Sequence, residues 1–119
     1  MGKELNRKKG MVGEEKAAAF MTGLGFEIIE RNYSFKRGEV DIIAVRDGVI
    51  HFVEVKARKD AKHGHPLEAI DRKKIRHICA AAHHYLIGRN LEGKVPVSVD
   101  AVSIIGDEVQ LIESITAML

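Results

Sequence analysis

No apolar run in this 119-residue chain reaches the roughly 18 residues that a membrane-spanning helix needs. Met1 to Val12 is polar and basic where an export signal would carry an apolar core. The single cysteine, Cys79, excludes an internal disulfide and suits a reducing cytosol, so a cytoplasmic protein is expected. Aromatic residues make up only 5% of the chain, which argues against an aromatic stacking set for single strands. Zinc-finger spacing and a Gly-rich phosphate loop are both missing. The six histidines do not make a metal site by pattern. His63 and His65 flank a glycine in a polar loop, and His83 and His84, adjacent on a helix, point in different directions. Net charge is only +2, so the whole-molecule field says little about partners.

What is there has the balance of a globular domain, with 45% apolar and 30% charged residues. The length fits one domain over residues 1–119, with residues 1–10 read as a flexible basic arm carrying Lys3, Arg7, Lys8 and Lys9. Two further basic clusters follow: Lys56, Arg58, Lys59 and Lys62, then Arg72, Lys73, Lys74 and Arg76. Each is a solvated face or a set of phosphate contacts.

The pattern predicts an amphipathic helix over Met11–Leu24, ended by Gly25, and then a strand over Phe26–Asn32. Glu39–Val45 and Val49–Val55 are β-rich runs separated by Asp47-Gly48, a strong hairpin signal. A polar loop follows. Pro66 opens a helical pattern reaching Ile87, and Val95–Ile105 and Val109–Ile112 read as two more strands before a short closing helix. The order α-β-β-β-α-β-β describes an α/β domain with one sheet covered by helices.

A two-residue loop fixes register. With Arg46 opposite Val49, counting outward brings Asp41 opposite Glu54, with Lys56 projecting from the same face. That face continues through Ile43, Val45, Phe52 and Ile50, while Val40, Ile42, Val53 and Val55 form the other. Two acids therefore interrupt a largely buried hairpin. Like charges opposite each other destabilise a sheet unless something positive answers them. Lys56 could do so as a structural ion pair, or a divalent cation could sit between the carboxylates. Helical phase supplies two more groups. With Glu14 at zero, Ala17, Ala18 and Met21 fall within about 60° of it, so Glu14 points at the core. On the second helix, Lys74 falls within the stripe of Leu67, Ile78, Ala82 and Tyr85, and either snorkels to solvent or reaches the acids or a phosphate. Cys79 lies near that stripe as ordinary packing.

Three stretches together carry a resemblance: Gly13-Glu14-Glu15-Lys16-Ala17-Ala18, Gly38-Glu39-Val40-Asp41-Ile42-Ile43-Ala44 and Phe52-Val53-Glu54-Val55-Lys56-Ala57-Arg58. Ala69-Ile70-Asp71-Arg72-Lys73-Lys74 adds the start of the second helix. The set resembles the PD-(D/E)xK nuclease superfamily, and more closely the small bacterial YraN-like proteins, which are similar to archaeal Holliday junction resolvases. Val40 stands where the superfamily pattern has proline, as is common in YraN-like proteins. The resemblance implies a restriction-endonuclease-like fold with a mixed sheet flanked by helices. It implies that Asp41, Glu54 and the Val55 carbonyl bind Mg2+ or Mn2+, that Glu14 joins them, and that Lys56 completes the catalytic set. Lys74, Arg58, Lys59 and Lys62 would contact nucleic acid, and Glu39 would be structural or support the metal ligands from behind. The implied activity is endonucleolytic cleavage of DNA, branched or junction DNA included. A homodimer is implied by analogy with the resolvases. Two alternatives stand beside it: a non-cleaving nucleic-acid-binding or assembly module, and a structural protein in which lysines merely neutralise buried acids.

Overall fold

The computed structural model describes the backbone of residues 2–119 and the side chains of residues 12–117 and 119. Its elements run α1 (Gly2–Gly23), β1 (Glu27–Phe35), β2 (Gly38–Arg46), β3 (Val49–Arg58), a 3-10 turn (Pro66–Ala69), α2 (Arg72–Gly88), β4 (Val97–Ile105), β5 (Glu108–Ile112) and a closing 3-10 turn (Ile115–Met118). This is the α/β restriction-endonuclease-like arrangement expected, in the same order. The five strands form one sheet in the order β1-β2-β3-β4-β5. All neighbours are antiparallel except β3 and β4, which run parallel because α2 carries the chain back between them. No helix among the described residues is long and apolar enough to cross a membrane.

The sheet separates two apolar layers. Ile43, Ile50, Phe52, Val99 and Ala101 pack against Ile75, Ile78, Ala81, Ala82 and Tyr85 of α2. Ile42, Ala44, Val53, Val102 and Ile104 pack against Ala17 and Met21 of α1. Strand residues thus alternate between two helical covers, which is why neither hairpin face is polar.

The Asp47-Gly48 turn has positive φ at both residues, 53° and 77°, as a type I′ turn requires. Five rungs follow in the predicted register, from Arg46↔Val49 to Ile42↔Val53. The ladder then stops one rung short of Asp41 and Glu54. On the other side of β2, the pairing with β1 also skips Asp41, and Asn32, the residue that would face it, has a left-handed φ of 56°. One strand face differs from expectation as a result. Val40 packs in the α2 layer with Ile43, so the in–out alternation slips at Asp41.

The first and third strands run about three residues further than expected, to Phe35 and Arg58, and three helix boundaries also differ. The first helix is assigned from Gly2, while the side chains of the basic arm, Lys3, Arg7, Lys8 and Lys9, lie outside the described residues. It ends at Gly23, so Leu24 falls in a turn and is exposed rather than in the core stripe. The helical pattern from Pro66 is broken: Ile70 is extended, and Asp71 caps α2 by accepting the Lys74 N–H at 2.8 Å. A cap so placed satisfies an orphan donor at Lys74 and starts the helix at Arg72.

Candidate functional site

Two glycines bring the helices close to the interrupted rung. A Cβ on Gly13 would lie 3.2 Å from the Ala57 methyl, so α1 sits tightly over the end of β3 and carries Glu14 there. A Cβ on Gly38 would lie 2.1 Å from the His77 carbonyl oxygen, so the start of β2 presses on the backbone of α2. Between these approaches the β2–β3 ladder opens.

The opening has its own chemistry. Asp41 Oδ2 accepts the Val55 N–H at 2.7 Å, taking the place of a strand carbonyl. Glu54 is only 3% exposed. Its Oε1 lies 3.4 Å from Lys56 Nζ and 3.7 Å from Lys74 Nζ, while its Oε2 is buried without a hydrogen-bond partner. Glu14 Oε1 is likewise buried and unpartnered. Leaving such an oxygen unpaired costs about 1–3 kcal/mol, and more when it is charged.

Electrostatics tie these acids into one neighbourhood. Burial pushes the Asp41 carboxyl up from 3.8 to about 7, helped by repulsion from Glu54, Glu14 and Glu39 and opposed by the Val55 N–H. Burial also raises Glu14, against the pull of Arg31, with Glu39, Glu15 and Glu54 pushing the same way as burial. The acids share a region but are not drawn together on it: among the described residues, no three His, Cys, Asp or Glu side chains already stand in metal-holding positions. The two lysines occupy one oxygen of Glu54. The donor set nonetheless fits a hard divalent cation, with two orphaned carboxylate oxygens and a third carboxyl poised to lose its proton near neutrality.

The residues singled out from sequence fall as follows. Asp41, Glu54, Lys56, Lys74 and Glu14 gather around the opening. Val55 is present through its N–H, on the same strand. Arg58, Lys59 and Lys62 are exposed on the end of β3 and the loop beyond, and Arg72, Lys73 and Arg76 are exposed on α2. Among the described residues none of those six is in an ion pair with an acid, whereas Lys16, Arg31, Arg46 and Arg89 each have one. Glu39 is exposed and acts on the site only through charge.

Sequence reasoning missed Arg31. It lies on β1 opposite Ile42, its NH1 is bonded to Glu15, its Nε is buried and unpartnered, and its charge bears on Glu14. The strand prediction through Asn32 already contained it, but nothing in the pattern aimed it at the first helix. Also missed was a closed network on the α1 side of the sheet. Asp100 is fully buried, with Oδ2 2.5 Å from His51 Nδ1 and Oδ1 accepting from the Ser98 hydroxyl and the Ser114 N–H. It anchors the C-terminal segment to β4. Only the parallel β3–β4 register, with Val53 opposite Asp100, brings these groups together.

The model of the uncharacterised protein family UPF0102 matches residues 13–104, from the glycine beside Glu14 to the end of β4. The chain belongs to the UPF0102 family. A UPF0102 protein of Persephonella marina is 41% identical over 101 residues, covering 85% of this chain and 86% of the relative. One from Sulfurovum sp. (strain NBC37-1) is 41% identical over 115 residues, covering 96% and 98%. A third, from Clostridioides difficile (strain 630), is 39% identical over 99 residues, covering 83% and 86%. The matched region of this UPF0102 protein contains every residue of the acid cluster and both lysines bound to Glu54.

Proposed function

We propose that this UPF0102 protein is a divalent-cation-dependent endonuclease of the PD-(D/E)xK type that hydrolyses phosphodiester bonds of DNA, branched or junction DNA included. The observation that carries the reading is the pair of buried, unpartnered carboxylate oxygens on Glu54 and Glu14 beside an Asp41 carboxyl raised to about 7. An acid cluster whose charge is incompletely answered by its own protein is a site built for an external cation.

Asp41 and Glu54 would hold Mg2+ or Mn2+ with the Val55 carbonyl, and Glu14 would supply the third carboxylate. Such an ion, when bound, supplies acidification of water and screening of charge on the phosphate. Lys56, whose side chain is 31% exposed at the edge of the opening, presents an ammonium that orients the nucleophile and stabilises negative charge developing on the phosphate. Lys74 holds Glu54 and is a secondary phosphate contact. Arg58, Lys59 and Lys62 bind phosphates without reading sequence. A cytoplasmic location and a homodimer that cuts two strands belong to the same reading.

A second reading has its own support. Both lysines already stand on Glu54 Oε1, and the acids are not preassembled as a metal cluster among the described residues. A non-cleaving nucleic-acid-binding or assembly module with this fold would look similar. The deciding experiment is a cleavage panel of labelled linear, flapped and four-way-junction DNA, with Mg2+ or Mn2+ and with chelator. The enzyme reading expects cation-dependent cutting that Asp41→Asn, Glu54→Gln and Lys56→Ala each abolish while remaining folded. Retained binding with no cutting by the wild type selects the module.

A further inference from the structure

The β1–β2 hairpin tip carries a feature that the acid chemistry does not use. The Phe35 and His84 rings are stacked, 3.8 Å apart at their centroids and within 6° of parallel. Tyr33 lies beside them, its hydroxyl bonded to His84 Nδ1 and its ring edge-on to Tyr85. The Lys36 ammonium is 5.3 Å from the Phe35 centroid. His84, Lys36 and Arg37 are exposed, and Tyr33 and Phe35 are half-buried.

Hairpin anchoring explains part of this. Tyr33 reaches Tyr85 in the α2 layer, and Gly38 presses on His77, so the hairpin is already held without the outermost ring. Anchoring accounts for Phe35, which packs on the α2 core, but not for the exposed His84 ring laid parallel on it with the Lys36 ammonium beside the stack. The local charge favours an anionic polymer. Glu92 and Glu30 are engaged by His83 and Arg89, and at the tip itself two cations, Lys36 and Arg37, stand against one exposed acid, Glu39, opposite Ser34, none of the three in an ion pair among the described residues. Position matters as well. Phe35 pairs with Gly38, three residues before Asp41, or about 10 Å along a strand. His84 lies ten residues beyond Lys74, about 15 Å along the helix.

We propose that Tyr33, Phe35 and His84, with Lys36 and Arg37, form a stacking platform for unpaired nucleotides, holding single-stranded DNA a few nucleotides from the acid cluster. The inference rests on the nucleic-acid reading above and narrows its substrate class to DNA with an unpaired arm or end. Planar side chains stack on any base face, and flanking cations track the backbone, so the platform is indifferent to sequence.

Fluorescence anisotropy with labelled oligothymidylate and with a duplex of equal length, both in chelator, tests the platform apart from cleavage. His84→Ala is expected to weaken single-strand binding about five- to hundredfold, as loss of one stacked base does. Duplex binding should change less than about twofold, and His84→Phe should restore the single-strand affinity. The chain has two tyrosines and no tryptophan, so saturable quenching of tyrosine emission by the unlabelled single strand gives a second readout on the wild type. Unchanged single-strand affinity in His84→Ala, equal losses on both DNAs, or a wild type that binds no single strand overturns the platform. Cleavage that survives such a result leaves the endonuclease reading standing, and single-strand binding without cleavage leaves the platform standing alone.

Discussion

Replacing Asp41 by asparagine should make the protein more stable at alkaline pH. In the fold the Asp41 carboxyl is raised to about 7 from its ordinary 3.8, chiefly by burial and then by Glu54. A carboxyl raised on folding favours the folded state fully below its unfolded value, and that advantage is lost as pH climbs through the folded value. Stability should therefore fall between about pH 4 and pH 7 and level off above. The gap, at about 1.4 kcal/mol per pH unit, sets a ceiling of about 4 kcal/mol, and solvent at the partly exposed site reduces this to roughly 2–4 kcal/mol. Asparagine is neutral, nearly isosteric, and keeps an oxygen for the Val55 N–H. Urea melts in chelator at pH 5, 7 and 9 are the assay. Asp41→Asn should already exceed the wild type by about 1 kcal/mol at pH 5 and by roughly 2–4 kcal/mol at pH 9, or roughly 8–15 °C in melting temperature at pH 9 for a chain of this size. A variant less stable than wild type at pH 9, or a wild type whose stability does not fall across this window, would refute the reasoning.

Gly38→Ala should cost roughly 1–3 kcal/mol or more, because its methyl would meet the His77 carbonyl oxygen at 2.1 Å, and melts report it directly. Lys56→Ala or Lys74→Ala alone should cost about 1 kcal/mol or less, since each lysine covers for the other on Glu54 Oε1. The double variant should lose roughly 3–5 kcal/mol at pH 8, because Glu54 is then buried without a counter-charge, and adding Glu54→Gln should recover most of it. Additive losses in that cycle would show that the lysines act independently of Glu54.

The hairpin was the most legible part of the molecule. Asp47-Gly48 admits one tight turn, and counting from it gives five observed rungs in the correct register. Counting could not show that the ladder stops before Asp41, because the interruption comes from Asn32 in a left-handed conformation on the neighbouring strand and from the close seating of both helices. The inward aim of Glu14 and Lys74 followed from helical phase, and both are partly buried at the opening. Phase failed at helix ends. Leu24, at the end of the expected first helix, is exposed because the helix ends at Gly23, and Leu67 packs on the core from a 3-10 turn rather than from α2, which starts only after the Asp71 cap. Arg31, the His51–Asp100 pair and the Phe35–His84 stack were invisible. Each joins residues from different elements whose relative placement is tertiary, and the 5% aromatic content, which argued against a stacking set, carried no information on how the few rings are gathered: three rings and a histidine meet on one side of α2.

Binding of Mn2+ measured by electron paramagnetic resonance tests the central claim most directly, since it asks about the cation itself and needs no DNA. Wild-type protein at pH 8 should quench the free-ion signal saturably, and Asp41→Asn and Glu54→Gln, checked as folded, should each lose that uptake. No uptake by the wild type, or equal uptake by the variants, would contradict the account.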